Sequence, residues 1–214
     1  MLKPSTTKLT LTKSLPGMER LAGKIDQLPD DLLHRRRTAR RAMIDARRER
    51  NAMEHILTLP AEGESLHLIV DGRFEPCDLI PATRRLSHPA VITRLDISTL
   101  GFNLDNVATL ANGMDQKKIL EVNFVCSHYF AKSDAAIFAH AQQELGSRGG
   151  RVSALRTHAK LILMEMSDGQ HFTIEGSGNL RSCKSIEQFC ITNDRGLLLF
   201  HRTWLDDYIA ARGK

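Results

Sequence analysis

A chain of 214 residues, 42% hydrophobic and 26% charged, is long enough for one ordinary core with an extension and too apolar for a disordered, collagen-like or coiled-coil protein. Its net charge of +5 is unevenly placed: Arg35 to Arg50 holds eight arginines against Asp45 and Glu49, a surplus of six, which leaves the rest near −1. A basic arm on a near-neutral body suits a polyanion such as nucleic acid, through Arg35, Arg36, Arg37, Arg40, Arg41, Arg47 and Arg48; a solvated helix face is the plainer alternative.

Residues 1–29 are rich in Thr, Ser, Lys and Pro and carry no unbroken apolar stretch of the signal-peptide kind. No window approaches the roughly 18 apolar residues of a membrane span, so the expected setting is cytoplasmic, with no membrane association. From Asp30 to about Leu59 a thin apolar stripe among arginines predicts a helix, stopped by Pro60. Residues 1–60 are thus expected to form a basic helical extension and 61–214 the main domain.

After Pro60 short apolar runs alternate with amphipathic stretches. Strands are expected at Leu66–Val70, Val91–Thr99 and Ile119–Cys126, with helices at Pro76–Leu86, Asn103–Asn112 and Ser133–Leu145. This β/α rhythm predicts parallel strands with covering helices. The second half differs, since Val152–Leu155, Ala159–Met166, Phe172–Glu175 and Ile186–Thr192 follow one another with little room for helices, and Ser167-Asp168-Gly169 is a hairpin signal. A last helix is expected from about Gly196 to Ala211. The fold class is therefore α/β, a mixed sheet with helices on both faces.

Four cysteines, Cys77, Cys126, Cys183 and Cys190, fall in no zinc spacing, and free thiols are expected. Seven of the histidines, His34, His55, His67, His88, His140, His171 and His201, show no ligand spacing, and neither a metal nor another cofactor is expected.

Two short patterns carry the chemistry. His158 and Lys160 of R-T-H-A-K-L-I-L stand two apart, so on a strand they share a face about 7 Å apart, a spacing that suits a phosphate. An imidazole can attack phosphorus or protonate a leaving oxygen, and the ammonium can offset charge on the non-bridging oxygens. Ser177 and Asn179 repeat the offset in Gly176-Ser-Gly-Asn, whose glycines allow close approach. His128, Ser98 and Thr99, near strand ends, are weaker candidates for the same crevice.

H-x-K followed by four residues and an acid, then G-S-x-N, resembles the phospholipase D superfamily, over about residues 65–210. Glu165 stands where that family has Asp, and ten residues separate it from Gly176, more than the usual spacing. The resemblance implies a phospholipase-D-like domain in which His158 is a nucleophile forming a phosphohistidine. Lys160, Ser177 and Asn179 would hold phosphate oxygens, Glu187 would orient His158, and no metal would be needed. Glu165 faces away from the pocket by parity, placed to cap a turn or pair with an arginine. Members with two H-x-K motifs use a second His as general acid. This chain has a single motif, so a homodimer with His158 from both chains in one site is implied. Short single-motif members are typically nucleases, and the basic arm agrees with a nuclease acting on DNA or RNA. The alternatives are a nucleic-acid-binding protein with a degenerate site and a lipid or small-phosphodiester hydrolase.

Overall fold

The computed structural model describes residues 30–212 except 88–89 and 182–184, with side chains from residue 43 onward and none at Arg212. The chain divides into two units, Met1–Asp45 and Ala46–Lys214. Helix α1 (Asp30–Ile56) begins in the first, and Ala52 and Ile56 from its last turns belong to the core of the second.

That second unit is built on one seven-stranded sheet. The strands are β1 (Ser65–Val70), β2 (Ile92–Thr99), β3 (Val122–Ser127), β4 (Arg151–Leu155), β5 (Leu161–Met166), β6 (His171–Gly176) and β7 (Glu187–Asn193), in spatial order β1-β7-β6-β5-β2-β3-β4. β2, β3 and β4 run parallel, while β5, β6, β7 and β1 add antiparallel to the other side of β2. The parallel strands need crossovers, and these are helical: α3 (Leu104–Asp115) between β2 and β3, then α4 (His128–Ser133) and α5 (Ala135–Gly146) between β3 and β4. β5 and β6 need only a tight turn, where Gly169 takes φ +86°. The remaining helices are α2 (Leu79–Leu86), entered through a 3-10 turn at Pro76–Asp78, and α6 (Arg195–Arg212).

Period-two alternation sorts the strand side chains. Leu95, Ile97, Val122, Phe124, Ile162, Met164, Ile174 and Ile191 share one face and, with Phe102, Leu110 and Leu145 from the helical side, make the main core. On the opposite face Val125 and Leu155 meet Leu205, flanked by Trp204 and Ile209 of α6. Helices therefore cover both faces, as the sequence predicts. Among the described residues no helix is long and apolar enough to cross a membrane.

Several expected elements differ locally; β3, for one, starts at Val122 rather than Ile119, which makes only an isolated bridge to Ile92. β5 starts at Leu161 rather than Ala159, because the Ala159 carbonyl accepts from Ser98 and its N–H donates to Thr157 Oγ1, leaving neither for the sheet. The helix expected at Ser133–Leu145 is two helices: Ser127 Oγ caps the Phe130 N–H and starts α4 at His128, and Asp134 at φ −120°, ψ 44° ends it. Asn103 is the cap of α3, exchanging side-chain and backbone bonds with Asn106, so the helix proper starts one residue later.

Candidate active site

The carboxyl ends of the parallel strands, Thr99, Ser127 and Leu155, lie at the end of the sheet where β5 begins, β6 finishes and β7 begins. Ligand sites in α/β sheets favour this position. The link 156–160 must pass from β4 to β5 across the ends of β3 and β2, and it carries His158 and Lys160. Since Leu161 pairs with Glu175, Lys160 and Gly176 meet across the same two strands. The two motifs are thus neighbours by register, and Lys160 and Gly178 line one small cavity of about 10 Å³ with Leu180 and Phe189.

The end of β2 pins each motif with one hydroxyl. Ser98 Oγ donates to the Ala159 carbonyl (3.1 Å), between His158 and Lys160. Thr99 Oγ1 accepts from the Leu180 N–H (3.1 Å), just past Asn179, and donates to the Gly101 carbonyl (3.1 Å). In the sequence these two residues rank low. The signal for them is position alone, a pair of hydroxyls closing a strand.

His158 is exposed, and among the described residues its ring has no hydrogen-bond partner. Lys160 is half-buried, and its Nζ donates to the His158 carbonyl (3.0 Å), so the ammonium is held beside the histidine rather than directed to a carboxylate. Ser177 donates its hydroxyl to Glu187 and accepts from the Gln188 N–H (3.1 Å). Glu187, expected to orient His158, is instead engaged with Ser177. The reason is register: the Ser177 N–H bonds the Gln188 carbonyl, which continues the β6–β7 ladder one step and brings Glu187 alongside the serine. Asn179 keeps a buried amide oxygen that has no hydrogen-bond partner among the described residues.

His128 lines an open groove together with His158, Tyr129, Arg156, Leu100 and Leu155. Glu165 lies away from these groups and pairs with Arg202 of α6, which holds its carboxyl below the usual carboxylate range. An arginine partner is one of the two roles that its parity suggests.

Of the arginines expected on nucleic acid, Arg47 is exposed. Arg48 is not available for that role: its side chain, 17% exposed, pairs through the guanidinium with Glu75 (3.0 Å) and Asp78 (3.3 Å), both almost fully buried. Glu75 also accepts from Asn106 Nδ2 (2.8 Å), so Arg48 anchors the end of α1 to the β1–α2 connection. The side chains of Arg35, Arg36, Arg37, Arg40 and Arg41 lie outside the described residues. Cys77, Cys126 and Cys190 are free thiols, and Cys183 lies outside the described residues. Among the described residues no three His, Cys, Asp or Glu side chains are grouped so as to hold a metal.

The site thus gathers an unpartnered imidazole, an ammonium, a hydroxyl and a carboxamide at one sheet end. Such a set can surround an anionic tetrahedral group with donors and offer it a nucleophile.

No family model matches the chain, and no curated protein matches it in sequence. Among solved structures it is similar to a polyphosphate kinase from Porphyromonas gingivalis, at 9% identity and TM-score 0.49, over 69% of this chain and 26% of the kinase. It is also similar to Nuc from Salmonella typhimurium, a phospholipase D family member, at 15% identity and TM-score 0.48, over 68% of this chain and 94% of Nuc. The chain thus spans about a quarter of the kinase it matches.

Proposed function

We propose that this chain is a phospholipase-D-type phosphodiesterase that acts on nucleic acid as a homodimer, through a phosphohistidine on His158. The observation that carries the reading is the meeting of two motifs at one sheet end, with Lys160 and Gly178 on the same cavity and Ser177 and Asn179 on either side of that glycine. Either motif alone is commonplace.

In this mechanism one nitrogen of His158 attacks phosphorus, the P–N bond forms, and the P–O bond to the leaving group breaks. The partner subunit's His158 gives that oxygen its proton. It then takes a proton from water, which attacks the phosphohistidine and returns His158 free. Lys160 offsets charge on the non-bridging oxygens. Ser177 turns its hydroxyl from Glu187 to the phosphate, and Asn179, by a half-turn of its amide, presents Nδ2 where its unpartnered oxygen now lies. Glu187 is then a positioning residue for Ser177. The resemblance implies no metal in any step, and the arginines of α1 before Asp45 add sequence-independent affinity for the phosphate backbone.

The test is hydrolysis of single- and double-stranded DNA and RNA in excess chelator. The unmutated chain should cleave, and His158→Asn should not. Activity that vanishes with chelator and returns with magnesium, or full activity in His158→Asn, overturns the mechanism.

A further inference from the structure

We infer that the groove beside His158 seats one nucleoside of a single-stranded nucleic acid, with its base stacked on the ring of Tyr129. This rests on the phosphodiesterase reading above and extends it to the substrate. The groove has a volume of about 410 Å³ and His158 is one of its lining residues, so a group bonded to a phosphorus at that imidazole has this space beside it. Sites for small ligands span roughly 300–1,000 Å³, which makes this one large enough for a sugar and base.

The walls have the chemistry of a nucleotide. Leu100 and Leu155 supply an apolar base, and Arg156 and His128 supply donors for an anionic chain, while none of the lining residues is acidic. Tyr129 stands on the rim, 76% exposed, directly after His128 at the start of α4. An aromatic face beside cations is how proteins take unpaired bases without reading sequence. A duplex base is already stacked and held by its partner, so it cannot lie on the ring unless it leaves the helix. Single strands are therefore the substrate this groove selects.

The full-length chain carrying His158→Asn serves as the binding protein, so that the probes stay intact. Its affinity is measured by fluorescence anisotropy for a labelled single strand, the same strand made abasic throughout, and its duplex, each as DNA and RNA. The single strand should bind about tenfold more tightly than the abasic strand, the size expected of one base on one aromatic ring. The duplex should fall below the single strand too. Adding Tyr129→Ala should bring the ratio of single to abasic strand close to one, and Tyr129→Phe should keep it. Tyr208→Ala, on the C-terminal helix, should leave it unaltered. A ratio near one before Tyr129 is changed, or one that survives Tyr129→Ala, overturns the inference. So does displacement of the strand by phosphatidylglycerol vesicles whose binding itself depends on Tyr129. Hydrolysis by the unmutated chain is scored separately: cleavage without strand preference defeats the groove alone, and a Tyr129-dependent preference without cleavage defeats the phosphodiesterase reading alone.

Discussion

Gly176 and Gly178 flank Ser177 because the Phe189 ring passes against that turn. A Cβ at Gly176 would overlap the ring and come within 2.7 Å of the Gln188 carbonyl, while one at Gly178 would lie 2.9 Å from the ring tip. Overpacking of this kind costs about 1–3 kcal/mol. Gly176→Ala should therefore lower the melting temperature and, by pushing Ser177 out of register with Gln188, lower turnover in the same protein. A second prediction follows from the Ser177–Glu187 bond: Glu187→Gln weakens the acceptor without emptying the site, so kcat/KM should fall about tenfold, against complete loss in His158→Asn. The thiols supply a third. Burial pushes the Cys126 thiol up to about 12 and raises Cys77 strongly, whereas Cys190 is half-buried beside His67 (3.8 Å). The thiolate is the reactive form. Iodoacetamide at pH 8 should then label Cys190 in the native chain and spare Cys77 and Cys126 until denaturant is added, as peptide mass mapping will read.

Helix α6 is tied to the sheet by charge as well as by Leu198 and Leu205. Asp96, fully buried on β2, accepts from Arg94 (2.9 Å), Arg202 (3.0 Å) and Asn123 Nδ2 (2.8 Å); Arg202 continues to Glu165 of β5, and Arg94 to Asp206 of α6 (2.8 Å). Removing one partner of such a network leaves a buried charge short of compensation, and Arg202→Met should cost about 3 kcal/mol in urea unfolding. The pH dependence has a definite sign. The Arg202 hydrogen bond holds the Glu165 carboxyl below its unfolded value, so this contribution is complete above the ordinary glutamate range and fades as pH falls through the folded value. Arg202→Met should lose that acid limb.

Elements of this kind show how far the sequence can be read. Strands β2, β3 and β6 are legible because their apolar runs are bounded by turns, whereas His158 and Lys160 lie in the link before β5 and Ser177 and Asn179 lie past the end of β6, so the shared strand face expected of each pair is not formed, and the register of β5 on β6 is what makes the two motifs neighbours. What escapes depends on distant partners. Nothing local distinguishes Arg48, half-buried on Glu75 and Asp78, from Arg47 in solvent, and the Ser177–Glu187 bond follows from pairing between strands more than from residue type.

At the scale of the whole molecule the basic run and the single motif make separate claims. Replacing Arg35, Arg36, Arg37, Arg40 and Arg41 by Gln should weaken nucleic-acid binding and flatten its dependence on salt, by about one unit of log–log slope for every phosphate that is no longer neutralised, while circular dichroism shows the sheet unchanged. Unchanged affinity and slope would make the run a solvated helix face. The single motif requires a second subunit, and mixing tests this directly. If each site draws His158 from both chains, then a site works only when both chains are intact, and activity follows the square of the intact fraction. Unmutated and His158→Asn chains, unfolded together in equal amounts and refolded, should give about one quarter of the activity of the same total of unmutated chain, against about one half for sites confined to single chains. Sedimentation of the mixture should show dimers throughout. A linear dependence on the intact fraction would place the whole reaction within one subunit, and His128, which shares the groove with His158, would then be the next histidine to replace.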